Sequence, residues 1–138
     1  MDPTKKVGLI AGNFDVVHPG YVRMFKDAKN ACDHLVIALQ TDSSVERPEK
    51  LSPVLTVEER AEVLMSIRYI DEILVYTTEE QLFNLIKDRS PDVRIIGTDY
   101  AGREFTGKEL TQEIYYHERN HEWSTTRFKK EIAQSLKA

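Results

Sequence analysis

The strongest constraint on this chain is an alternation. Five short runs rich in β-branched residues are separated by segments of helical periodicity across 138 residues. The runs are KVGLIA (6–11), HLVIALQ (34–40), EILVY (72–76), VRIIG (93–97) and EIYYH (113–117). Between the first two, residues 19–32 place Val22, Phe25, Ala28 and Cys32 on one stripe at helical spacing. Thr56 with Glu59 reads as a capping box that opens a helix through VEERAEVLMSIRY. Thr78 with Gln81 opens another that carries Leu82, Leu85 and Ile86, and Ser90 with Pro91 ends it. Strands alternating with helices build βαβ units, so the expected fold class is α/β: about five parallel strands with helices on both faces. Near-continuous apolar strands agree with burial on both sides of the sheet.

Composition narrows the classes of partner. The 138 residues are 41% hydrophobic, which suits one domain over 1–138 that buries roughly two thirds of its unfolded surface. A net charge of -4 gives no general attraction to nucleic acid. Cys32, the one cysteine, has no internal disulfide partner, the N-terminus lacks a long apolar signal region, and no run approaches the roughly 20 residues that span a bilayer. The expectation is a cytoplasmic, membrane-free protein. The polar stretch TDSSVERPEKLSP (41–53) is the longest loop candidate, and such lengths accompany function or mobility.

Chemistry concentrates after the first strand, in GNFDVVHPGY (12–21). In an open parallel sheet, ligands bind beyond the carboxyl ends of the strands, near the point where strand order reverses. Gly12 permits close backbone approach there, and a helix starting near Pro19 offers free N–H groups to an anion. The spacing fits neither a P-loop nor a dinucleotide fingerprint, so phosphate is handled by another route. His18 at that helix start is placed to donate to phosphate oxygens; the plainer alternative is that it only caps its helix. Ser124 is the expected N-cap of a last helix, TTRFKKEIAQSL, in which Arg127 leaves no glutamate to occupy the free amides.

GNFDVVHPGY resembles the G-x-F-D-x-x-H-x-G-H signature of the nucleotidyltransferase superfamily that contains the glycerol-3-phosphate, phosphocholine and phosphoethanolamine cytidylyltransferases. Gly12, Phe14, Asp15, His18 and Gly20 match it. RNHEWSTT (119–126) is similar to the R-T-E-G-I-S-T-T signature of the glycerol-3-phosphate enzymes, with Arg119, Ser124, Thr125 and Thr126 in register. TVEERAEVLMSIRYIDEILVY (56–76) resembles the family's arginine-bearing helix and strand, and GTDYAGREF (97–105) its loop near the base. The resemblance implies a single Rossmann-like domain that moves CMP from CTP to a small phosphorylated acceptor such as glycerol 3-phosphate. It further implies Mg²⁺ on the triphosphate and a homodimer.

The same resemblance assigns residues. His18, Tyr21 and Arg119 fall at catalytic positions, and Gly12, Asn13, Phe14, Asp15, Gly20, Asp99, Arg119, Ser124, Thr125 and Thr126 at nucleotide-binding ones. Arg68, expected in the helix after Thr56, is carried over as acceptor-binding; Asp42, after a strand end, and Lys50, in the long loop, are further acceptor-binding candidates, for which turn chemistry and solvated surface charge are the plainer readings. Arg60 matches a family arginine that also suits a structural role, and Arg47 shares the long loop with Lys50. No metal ligands are assigned.

The chain departs from the signatures at several positions. Tyr21 replaces the second histidine with a phenol, which donates through O–H but is neutral near pH 7 and longer. Loss of one such donor costs on the order of 10²-fold in rate, which keeps open an alternative: a nucleotide-binding module without turnover. Glu122 and Trp123 replace glycine and isoleucine. The related sugar-phosphate adenylyltransferases share the first motif, so adenylyl transfer is a second alternative. A third is HERNH (117–121), which fits H-E-x-x-H, a zinc-hydrolase pattern that requires both histidines on one helical face.

Overall fold

The computed structural model describes residues 5–49 and 52–137. Five strands, β1 (Val7–Gly12), β2 (His34–Gln40), β3 (Glu72–Tyr76), β4 (Val93–Gly97) and β5 (Glu113–His117), form one parallel sheet in the order β3-β2-β1-β4-β5. The helices are α1 (Pro19–Ala28), α2 (Val57–Met65), α3 (Glu79–Arg89) and α4 (Thr125–Ser135). The strand order runs outward from β1 to β3 and then jumps back to β4, so the reversal lies between β1 and β4. The α/β architecture read from the sequence is the observed one.

Period-two alternation divides the interior into two cores. Ile10, Leu35, Ile37, Leu39 and Ile95 face Phe25 and Ala28 of α1 and Leu64 of α2. Leu9, Val36 and Ala38 face Leu82 and Ile86 of α3 on the other side. Covering both faces explains why β1, β2 and β4 are apolar nearly throughout, while the outer strands β3 and β5 stay half-buried. Cys32 is buried in the first core. No helix among the described residues is long and apolar enough to cross a membrane.

Local chemistry sets the helix ends. Both capping boxes form: Thr56 with Glu59 starts α2 and Thr78 with Gln81 starts α3. Ser90 closes α3 in the left-handed region at φ 47°, with Pro91 beyond it. α1 stops at Ala28, earlier than the stripe to Cys32 implied, because Lys29 to Ala31 turn back through short i, i+3 bonds. α2 likewise ends at Met65, which leaves Arg68 in the turn before β3.

The amino-terminal rim of the sheet is tied by ions. Glu72 accepts from Arg89, with the Nη2 bond at 2.9 Å, and meets His34 Nε2 at 2.9 Å. The Arg89 bonds, working against partial burial and helped by His34, hold the Glu72 carboxyl down from an ordinary 4.5 to about 2. A depressed carboxyl stabilises the fold fully above its unfolded value, and that contribution disappears as pH falls from about 4.5 toward 2. Glu72→Gln is therefore expected to be less stable than wild type near neutrality, with the two urea-unfolding curves converging through that acid window. A constant gap across the window would remove this role from Glu72.

Candidate functional site

A cleft of about 470 Å³ opens beyond the carboxyl ends of β1 and β4, at the reversal of strand order. One wall comes from Gly12, Asn13 and Phe14 and the start of α1; the other comes from Arg119 and the start of α4. The two sequence motifs, about a hundred residues apart, thus converge on one space.

His18 caps its helix and keeps one ring nitrogen free. As N-cap of α1 its Nδ1 accepts from the Gly20 N–H at 3.1 Å, the ordinary bond from an N-cap side chain to the second helical residue. That bond occupies only one ring nitrogen. Nε2 is buried without a partner and the residue lines the cleft, so the neutral ring keeps an unspent N–H donor. Burial, together with His121 and Arg119 nearby, lowers the proton affinity of the imidazole. Protonation of Nδ1 would also set an N–H against the Gly20 N–H.

At the start of α4, Ser124 Oγ accepts from the Arg127 N–H at 3.1 Å. The N–H groups of Thr125 and Thr126 precede the first intrahelical acceptors, so they remain to meet an anion. Arg119 lines the same wall and donates through Nη2 to the Trp123 carbonyl. Tyr21, expected as a donor, lines the cleft, bonds Thr125 Oγ1 through its hydroxyl at 2.7 Å and stacks on His18 with ring centroids 4.2 Å apart. It joins the two motifs directly.

Gly12, Asn13, Phe14, Gly20, Asp99 and Thr126 line the cleft as expected. Asp99 folds back over the end of β4, where a Cβ on Gly97 would collide with its carboxylate. Asp15 does not line it. This carboxylate is buried, accepts from the N–H groups of Val54 and Leu55 at 2.8 and 2.9 Å, and pairs with Lys129 at 2.6 Å. An anion in that position serves the scaffold rather than a phosphate.

Two of the residues expected to bind the acceptor, Asp42 and Arg68, lie apart from the cleft. Asp42 caps a single turn by accepting from Ser44 N and Oγ and lies outside the cleft lining. Arg68 is exposed against Tyr69 at the amino ends of the strands, the opposite end from the site, because α2 runs antiparallel to the sheet and has carried the chain back. Lys50 lies outside the described residues, and Arg47 is exposed. Arg60 is structural: its guanidinium is buried and bonded only to backbone carbonyls.

HERNH does not form a helix. His117 ends β5 and binds Asp27 through Nδ1 at 2.7 Å, whereas His121 sits in the following loop and lines the cleft. Among the described residues no cluster of three His, Cys, Asp or Glu side chains is placed to hold a metal. Several cleft residues escaped the sequence reading, among them Arg94 and His121. Arg94, a buried arginine stacked 5.0 Å over Phe105, was signalled only by a charge inside an apolar strand. His121 was hidden in the zinc pattern.

The family model described as cytidylyltransferase-like matches residues 9–131. The chain is 37% identical over 111 residues to the bifunctional protein HldE of Gluconacetobacter diazotrophicus, covering 78% of this chain and 22% of that protein. HldE of Wolinella succinogenes is 36% identical over 111 residues, covering 80% and 23%. The chain thus spans about a fifth of the length of the curated relatives it matches. Among solved structures, a lipopolysaccharide core biosynthesis protein from Thermoplasma volcanium shares the fold with a TM-score of 0.67 at 20% identity, over 82% of this chain and 97% of that one.

The bonding of His18 sets its titration. Its imidazole is expected to stay neutral to a pH below the ordinary 6.5, as the Nε2–H tautomer, in nitrogen-resolved NMR of the histidine rings. Because the folded value is lowered, the unfolded chain takes up the proton first, and acidification below about 6.5 costs stability. A midpoint at or above that value, or an Nδ1–H tautomer, would contradict the geometry.

Proposed function

Because the chain belongs to the cytidylyltransferase-like family, we propose that it transfers a nucleoside monophosphate from a nucleoside triphosphate to a small phosphorylated acceptor, releasing pyrophosphate. The observation that carries this reading is the unpartnered Nε2 of His18, a residue that lines the same cleft as the start of α4. An oxygen of the acceptor phosphate attacks the α-phosphorus, the bond to the bridging oxygen breaks, and pyrophosphate leaves with the electron pair. Little covalent work falls to the protein. Its contribution is alignment and charge stabilisation: His18 Nε2–H and the Arg119 guanidinium donate to oxygens on which charge grows, and the α4 amides hold the polyphosphate.

CTP is the donor that the family description supports, and ATP is its competitor. The base is read at the end of β4, where Asp99 and Tyr100 line the cleft. The cleft offers donors rather than a carboxylate cage, so Mg²⁺ enters on the phosphate oxygens as part of the substrate. The acceptor class covers glycerol 3-phosphate and sugar phosphates. The family resemblance extends the proposal to a homodimer, which light scattering checks.

The test is pyrophosphate release with Mg²⁺ and CTP or ATP across a panel of phosphomonoesters. Turnover is expected with at least one acceptor and is expected to fall by about 10²- to 10³-fold in His18→Ala. Triphosphate binding without release for any acceptor would assign the chain to the non-catalytic reading instead.

A further inference from the structure

We propose that His121 is a catalytic residue that supplies the second imidazole of this site, the one missing from the first motif at position 21. The inference rests on the nucleotidyl-transfer reading above. Tyr21 is poorly placed for the role, because its hydroxyl is engaged by Thr125 at 2.7 Å and its ring is stacked on His18. His121 reaches the same space from the other motif. It lines the cleft, and its Cε1 lies 2.7 Å from the point that a Cβ on Gly20 would occupy. His18 Cε1 lies 2.9 Å from that same point, so the separation of the two ring carbons cannot exceed the total of those distances. Only glycine at position 20 leaves room for both rings.

The two histidines are also held by the same local device. The Gly20 N–H donates to His18 Nδ1 at 3.1 Å, and the Trp123 N–H donates to His121 Nδ1 at 3.0 Å. In each case the backbone N–H two residues onward takes up Nδ1, which fixes the neutral tautomer with its proton on Nε2. Each ring therefore offers one Nε2–H donor. Burial lowers the proton affinity of His121, and the facing cations Arg119 and Arg23 act in the same direction, with His117 adding to them. Neutral donors of this kind stabilise negative charge on phosphoryl oxygens without giving up their protons. The chemical step stays balanced as written above, with both imidazoles unchanged at its end.

The test has two arms on the full chain. In the first, His121→Ala is expected to lower kcat by about 10²-fold with little change in KM for the triphosphate. Placing histidine at position 21 of that variant (Tyr21→His) is expected to restore part of the loss. Equal rates for His121→Ala and wild type, or a comparable kcat loss in Tyr21→Phe alone, would overturn the assignment. The second arm needs no turnover and no variant. Inorganic tripolyphosphate titrated into histidine-labelled wild-type protein is expected to move the Nε2 signals of His18 and His121 along one binding curve. A shift of His18 with His121 unmoved would refute the proposal. An inactive wild-type protein would count against the functional reading, and the titration would still decide on His121.

Discussion

The buried guanidinium of Arg60 is the interaction on which the site end of this molecule depends. It donates to four backbone carbonyls from three segments: Leu55 at 3.2 Å, Asn13 at 2.8 Å, Gln40 at 2.6 Å, and Thr41. Those segments are the loop after β1, the exit of β2 and the approach to α2, which otherwise diverge at the top of the sheet. A planar fork with five fixed donors can satisfy several carbonyls at once, whereas an ammonium acts as one point charge. Asp15 lies close by and completes the arrangement with Val54, Leu55 and Lys129. Burial opposes its charge, but the Leu55 and Val54 amides and Lys129 outweigh that and hold the carboxyl below its usual range. Burying two ions is costly unless every lone pair and proton finds a partner, and here the partners come from backbone that would itself be left unsatisfied.

This polar hub explains how the loop over the site keeps an unfavourable shape. Phe14 sits at φ 45°, a left-handed conformation that is uncommon for an aromatic residue. Arg60 holds the Asn13 carbonyl on one side of it, and Asp15 is locked on the other. The backbone between them therefore turns sharply beside the cleft and delivers the chain to the start of α1, where His18 must cap. α4 is placed with less hydrophobic help, since none of its residues is buried. Its position rests on the Lys129 pair with Asp15, the Tyr21 bond to Thr125 and the contact of Phe128 with His18 and Trp123. The same hub thus anchors both walls of the site.

Much of this was legible in the sequence, and the failures share a cause. All five strands fall within one residue of the runs read from β-branched composition, and both capping boxes form, because these features are local and periodic. The convergence of His18 with Ser124 to Thr126 followed from two motifs read together. What periodicity does not carry is the end of the sheet at which a residue emerges. Arg68, late in the segment containing α2, was read as a cleft residue but lies at the far end, since each helix returns the chain to where the next strand begins. Partners distant in sequence are missed for a similar reason. Asp15 is expected at the nucleotide because it matches a signature, and Arg60 is left open to a structural role, whereas the backbone groups that engage both are named by no spacing rule.

The departures from the family signatures are best understood as one repacked unit. Tyr21 is long enough to reach across to α4, and its bond to Thr125 uses the hydroxyl that a donor in the cleft would need. Trp123 lies nearly parallel to the His18 ring at 5.6 Å, and Phe128 meets the edges of both rings. Enclosing His18 in aromatic surface strengthens a hydrogen bond from its free Nε2–H to an incoming oxygen while disfavouring its protonation, since low polarity acts on both. Trp123 also contributes the backbone N–H that orients His121. These positions are therefore packed as one unit. Tyr21 lines the cleft and ties α4 down through Thr125, His121 reaches the cleft from the other motif, and the backbone N–H of Trp123 holds His121 in register, so substitution at any of them acts through the geometry of the others.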